Sequence, residues 1–127
     1  METITVERRI ADLCDMDYLL ESLAGNRAMA EKLAGLFLDS YPGLVRELGQ
    51  ALARSDLAAL RQIVHNIRGS CVLFSVGPGL ALAGRLENEL PDQPGPDLAA
   101  DCARLNGILE GMAQELGQFI GRTGTDG

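Results

Sequence analysis

The sequence predicts an all-α fold, an antiparallel four-helix bundle with a short additional N-terminal helix. Apolar residues recur at steps of three and four through most of the chain, which is the period of an amphipathic helix. They are mainly Leu and Ala, there is no Trp, and only 4% of the residues are aromatic, a mixture that favours helix over sheet. Pro and Gly clusters divide this pattern into segments, and such helices bury their apolar stripes only against one another.

The first two helices are predicted from capping residues and apolar spacing. Asp15 is a suitable N-cap for a short helix that continues to Gly25, and the second helix begins near Asn26. Because Pro42 interrupts the second stripe, we expect one long helix kinked at this residue, with two shorter helices as the alternative. The second stripe consists of Leu33, Phe37, Ser40, Leu44, Leu48 and Ala51.

The remaining helices are bounded by turn residues. The third begins at Ser55 or Asp56 and ends near Ser75, and Pro78 is placed to open the fourth. After a linker rich in Pro, Asp97 caps the fifth helix. The three stripes are Leu57, Leu60, Val64, Ile67, Cys71 and Phe74; Leu80, Ala83, Leu86 and Leu90; and Leu98, Cys102, Leu105, Leu109, Met112, Leu116 and Phe119.

The 127 residues fit one domain. We divide them into an N-terminal extension (1–14), the helical bundle (15–121) and a disordered tail (122–127). No apolar run approaches the length of a membrane span, and the first residues carry charges instead of a signal-peptide core. The three cysteines are odd in number and form no Cys-x-x-Cys pair, so we expect reduced thiols in a soluble cytoplasmic protein.

The charge of the chain disfavours polyanionic partners. The formal net charge is -7 and no basic cluster offsets it. Such a chain repels phosphate backbones and anionic lipid surfaces. We therefore expect neither nucleic acid nor a membrane as a partner.

The only histidine, His65, lies off the apolar seam of the third helix. Each helical residue advances about 100° around the axis, so an imidazole next to Val64 should be at least partly in water. A lone histidine on a helix is often an ordinary surface or structural residue. Its neighbours on the same face are Arg61, Gln62, Arg68, Gly69 and Val72.

Two of these neighbours fit a phosphoryl carrier. Gly69 lies inside a helix, where Gly costs about 1 kcal/mol relative to Ala; it is either a close helix-packing point or a clearance for another protein's surface. A neutral imidazole is a nucleophile for a phosphoryl group. The guanidinium of Arg68 is close enough to make charge-assisted hydrogen bonds to that group.

The segment His65-Asn66-Ile67-Arg68-Gly69-Ser70, followed by Leu86-Glu87 one helix later, resembles the signature of histidine-containing phosphotransfer (HPt) domains. Leu36-Phe37-Leu38 with Pro42, and Arg54-Ser55-Asp56, are also similar to that family. Two positions depart from its pattern. Val72 stands where a small residue is common, and Ser75 stands where a Gly is usual.

The resemblance implies that His65 is phosphorylated, that Arg68 replaces the usual Lys near the phosphoryl group, and that Gly69 gives clearance. Arg61, Gln62, Gly69 and Val72 would then form a docking face. The phosphoryl group would come from a receiver-domain aspartate of a hybrid histidine kinase, or occasionally from a kinase, and pass to a response regulator. Magnesium would belong to the receiver partner only, and the chain would act as a monomer.

Two alternatives compete with this reading. One is an adaptor of the same fold that docks a receiver or kinase without carrying phosphate. The other is an autonomous enzyme or a bundle with a metal or cofactor, for which the chain lacks a Glu-x-x-His pair, a Walker-type loop and a Gly-x-Gly-x-x-Gly segment. We therefore expect a carrier without an ATP site, a metal or a cofactor of its own.

Overall fold

The computed structural model describes the backbone of residues 13–126 and the side chains of residues 13–121. It contains five helices over this range: α1 (Met16–Ser22), α2 (Arg27–Ala53), α3 (Leu57–Leu73), α4 (Gly77–Glu89) and α5 (Leu98–Asp126). No strand occurs among the described residues. The all-α prediction is confirmed.

Helices α2 to α5 form the bundle. Contacts join α2 to α3, α3 to α4, α4 to α5, and α5 back to α2, while α1 packs on α2. Short connections between successive helices make neighbours run in opposite directions. Most residues of the predicted stripes are buried in the core, together with others such as Ala30, Ile63 and Leu82. The rings of Phe37 and Phe74 pack edge to face in its interior, with their centroids 5.9 Å apart.

The predicted caps set the beginnings of three helices. The side chains of Asp15, Asn26 and Asp56 each accept a hydrogen bond from a backbone N–H in the first turn of α1, α2 and α3. Pro78 lies in the first turn of α4, as expected. Pro42 lies inside the single helix α2, so the alternative of two shorter helices is wrong.

The ends of α2 and α3 have the same structure. Ser55 and Ser75 both have φ of +53°, and Val76 N–H donates to Cys71 O at 2.9 Å. This is a Schellman motif, in which a residue in the left-handed conformation closes the helix. Ser75 therefore takes the conformation for which a Gly is usually needed, and α3 still ends where the sequence predicts.

One stripe position differs from the prediction. Ser40 is exposed, and half-buried Tyr41, Leu44 and Val45 face the core in that part of α2.

The first described residues contact the last helix. Backbone N–H groups of Leu13 and Cys14 donate to Glu115 at 2.7 and 2.8 Å. Residues 1–12 lie outside the described residues, and helix α5 extends to Asp126. The division into an N-terminal extension, a bundle and a disordered tail stays a prediction.

Helices α3 and α4 approach closely, which determines where the side chains of α4 stand relative to His65. A Cβ added at Gly79 would lie 2.5 Å from the Sγ of buried Cys71, so only a glycine allows this approach. Burial raises the pKa of the Cys71 thiol to about 11.

Within the described part of the chain, no helix is long and apolar enough to cross a membrane.

Candidate functional site

The two faces of α3 differ as the sequence predicts. Leu60, Val64, Ile67 and Cys71 are fully buried in the core. The side chain of His65 is 56% exposed. The prediction that the imidazole is at least partly in water is confirmed.

The imidazole has one short contact, and it is with a carboxylate. His65 Nδ1 lies 2.8 Å from Glu87 Oε2. Glu87 follows buried Leu86 on α4, and its side chain is only 14% exposed. An ionised carboxylate only accepts hydrogen bonds, so the contact requires the proton on Nδ1. The Nε2 nitrogen of the neutral ring then carries the lone pair.

Two arginines complete the group around this carboxylate. Arg61 Nη2 lies 3.9 Å from Glu87 Oε2, and Arg68 Nη1 lies 3.8 Å from Glu87 Oε1. We call His65, Arg61, Arg68 and Glu87 the histidine cluster. Glu87 Oε1 is buried and has no hydrogen bond, so neither arginine holds the carboxylate as closely as the imidazole does.

The cluster concentrates positive charge in an acidic chain. The net charge of the protein is -7, yet both arginines of the cluster have half-exposed side chains beside the imidazole. Guanidinium groups are suited to recognising phosphoryl oxygens. An anionic group on Nε2 would therefore find two cations within about a helical turn of His65.

The other residues predicted on this face are exposed. Gln62 Nε2 donates to Asn66 Oδ1 at 3.2 Å, and Val72 is exposed to solvent. A Cβ added at Gly69 would meet no atom within 4 Å. Because no other described residue packs against Gly69, the structure does not support a helix-packing point there, and the space beside His65 is open among the described residues.

A shallow cleft of about 240 Å³ opens beside the histidine cluster. It is lined by Arg68, Ala81, Gly84, Arg85, Glu87 and Asn88. His65 does not line it. The described residues contain no group of three or more His, Cys, Asp and Glu side chains able to hold a metal ion.

The sequence reasoning did not identify Glu87 as a site residue. Glu87 appears in the sequence analysis only as part of the Leu86-Glu87 pair of the family signature. Its position directly after a core leucine, in the helix that follows the histidine helix, could have indicated a carboxylate near His65. Arg61, which the sequence predicts to be a docking residue, contacts Glu87 in the structure. The structure brings together His65, Arg61, Arg68 and Glu87.

Comparisons with known proteins agree with this geometry. The chain is 27% identical over 77 residues to the phosphotransferase RcsD of Escherichia coli (strain K12), an alignment that spans 61% of this chain and 9% of that protein. No solved structure matches the chain. The family model described as Hpt domain matches residues 32–119, which include both the histidine helix and Glu87. This match covers more than half of the sequence, so the chain belongs to the Hpt domain family.

Proposed function

We propose that this protein is a histidine phosphotransfer protein of a two-component phosphorelay, with His65 as the phosphorylated residue. The observation that carries the proposal is the exposed imidazole whose Nδ1 is bound by Glu87 at 2.8 Å. This contact leaves Nε2 as the nucleophile on the solvent side. The name of the relative, phosphotransferase RcsD, supports the same role.

The transfer step follows from this geometry. The Nε2 lone pair attacks the phosphorus of an aspartyl phosphate, a P–N bond forms, and the P–O bond to the partner's aspartate breaks to release its carboxylate. The ring, which retains its Nδ1 proton, becomes cationic as the bond forms. Glu87 stabilises this developing charge from the opposite side of the ring. Transfer to a response regulator is the same step in reverse.

The neighbouring residues have distinct proposed roles. Arg68 binds the phosphoryl oxygens, and its 3.8 Å separation from Glu87 leaves it free to move toward them. Gln62, Gly69 and Val72 lie on the exposed face of α3 and form the surface on which a receiver domain docks. Magnesium belongs to the receiver, and the chain acts as a cytoplasmic monomer that draws its phosphoryl group from a partner and not from ATP.

A transfer assay tests the proposal. The chain and its His65→Gln variant are incubated with a receiver domain carrying labelled phosphate, and with labelled ATP alone as the control. We expect label on the parent chain only, from the receiver only, lost in acid and retained in base as for a phosphoramidate. Equal labelling of the Gln variant would exclude His65 as the carrier, and absence of label on both chains would favour a docking adaptor.

Gly69 offers a test of the docking face. Gly69→Leu should stabilise α3, because a helix-interior glycine costs about 1 kcal/mol and the space around it is open. The added side chain should obstruct the receiver and slow transfer. Gly49→Leu is the matched control, since Gly49 is also helical with nothing within 4 Å. Normal transfer in Gly69→Leu would contradict the clearance role.

A further inference from the structure

Arg61 has its shortest contact with the backbone of α4. Its Nε donates to the carbonyl oxygen of Glu87 at 3.0 Å, and its Nη2 lies 3.9 Å from Glu87 Oε2. The same carboxylate oxygen accepts the hydrogen bond from His65 Nδ1. One side chain of α3 therefore contacts both the main chain and the carboxylate of the residue that binds the imidazole.

The chain sequence explains why this carbonyl is available. The last four carbonyl groups of a helix lack donors within the helix. Leu90 N–H donates to Leu86 O and Gln93 N–H donates to Glu89 O. The residue four positions after Glu87 is Pro91, which has no N–H. Arg61 supplies the donor that Pro91 lacks.

We propose that Arg61 is a positioning residue that holds Glu87 in register with His65, in place of the docking role that the sequence indicated. The proposal rests on the proposed function of His65. Arg61 precedes His65 by one helical turn, so its bond to the Glu87 carbonyl ties α4 to α3 at the level of the imidazole. The carboxylate then lies where it accepts the hydrogen bond that Nδ1–H donates, and the neutral ring keeps its lone pair on Nε2.

The tautomer of His65 provides a direct test that needs no partner. In Arg61→Met, ring-nitrogen NMR of the neutral histidine should show a smaller fraction with the proton on Nδ1. Transfer from a phosphorylated receiver should slow by about 3- to 10-fold, because less of the reactive tautomer is present. The affinity for the unphosphorylated receiver should stay the same. Arg61→Lys, which keeps a donor, should recover part of both losses.

Arg46→Met is the matched control, since Arg46 is an exposed arginine on α2, and it should leave the tautomer unchanged. An unchanged tautomer in Arg61→Met would overturn the proposal, and a simultaneous loss of receiver affinity would identify Arg61 as a docking residue. Failure of the parent chain to accept phosphate would refute the proposed function alone. The tautomer measurement would still decide whether Arg61 positions Glu87.

Discussion

Two carboxylates of the bundle, Glu87 on α4 and Asp101 on α5, have similar surroundings but different partners. Their side chains are 14% and 5% exposed, and each has two arginines nearby. Asp101 Oδ1 lies 3.0 Å from Arg85 Nη2 and 3.7 Å from Arg104 Nη1. For Glu87 the arginines are 3.9 and 3.8 Å away, and the 2.8 Å contact is with His65.

The difference shows how the same residue types serve two purposes. At Asp101 a charged pair joins α4 to α5, and the carboxylate is occupied by a permanent cation. At Glu87 the Arg61 guanidinium donates to the backbone carbonyl instead, and the short contact of the carboxylate is with the imidazole. The first arrangement links two helices, and in the proposed function the second holds His65 in its reactive tautomer.

Of the substitutions at the two carboxylates, Glu87→Ala should slow transfer most. Loss of a hydrogen bond to a charged group costs about 1.5 to 3 kcal/mol, which corresponds to a rate lower by about 10- to 150-fold. Glu87→Gln keeps an accepting oxygen and should be intermediate. The transfer rate and the melting temperature are measured for the parent chain, Glu87→Ala and Glu87→Gln. A full transfer rate in Glu87→Ala would show that the carboxylate does not assist His65.

Asp101→Asn should have the opposite consequence. It removes the charge of a buried carboxylate whose partners are arginines, so the melting temperature should fall by several degrees. The transfer rate of the folded protein should be unchanged. Calorimetry and the transfer assay at a temperature below unfolding check the two parts. Slow transfer with a normal melting temperature would contradict the claim that Asp101 acts on stability alone.

Three arginine variants test the same difference between the two carboxylates. Arg68→Ala should slow transfer by about 3- to 10-fold, since a half-exposed guanidinium contributes less than a buried one, and Arg68→Lys should retain most of the rate. Arg85→Ala should affect melting and not transfer, because Arg85 pairs with Asp101 and Glu89. Equal transfer rates in all of these variants would contradict the role of Arg68.

The smallest effect is expected at a neighbouring thiol. Burial first, and then the charge of Asp101, raise the pKa of Cys102. Asp101→Asn removes the second cause and should lower this pKa slightly, while the pKa of Cys71, raised by burial alone, should stay at about 11. NMR titration of labelled cysteine in the native state measures both.

The sign of the resulting pH dependence follows from these directions. Because the pKa of Cys102 is raised in the folded chain, its contribution to stability is fully present below the ordinary thiol value. That contribution is lost as the pH rises through the raised value. Asp101→Asn should therefore make this alkaline loss smaller and bring its end to a lower pH, while its start, which is set by the ordinary thiol pKa of the unfolded chain, stays where it is. An unchanged Cys102 titration in the variant would show that Asp101 does not act on the thiol.

The sequence predicts the helices well because their signals are local. Caps such as Asp15 and Asn26, the opening Pro78 and the three-four spacing each act within one or two turns. The orientation of His65 follows from the same periodicity, because Val64 and Ile67 fix the buried side of α3. The prediction for Ser40 was wrong because half-buried Tyr41 and Val45, which lie outside the predicted stripe, face the core beside Leu44 in the middle of α2.

The contacts of the site are harder to predict because they join different helices. The bond between His65 and Glu87 depends on the packing of α4 against α3, to which the close approach of Gly79 to Cys71 contributes. No periodicity within α3 specifies that approach. The position of Arg61 likewise depends on a carbonyl that Pro91 leaves without a donor, which becomes visible only when both helices are in place.

The proposed mechanism is checked by identifying the ring nitrogen that carries the phosphoryl group. The chain is labelled at its single histidine, phosphorylated by a receiver domain, and examined by nitrogen and phosphorus NMR. We predict phosphorus bonded to Nε2 of His65, with the proton retained on Nδ1 and hydrogen-bonded to Glu87. A phosphoryl group on Nδ1, or on any residue other than His65, would contradict it.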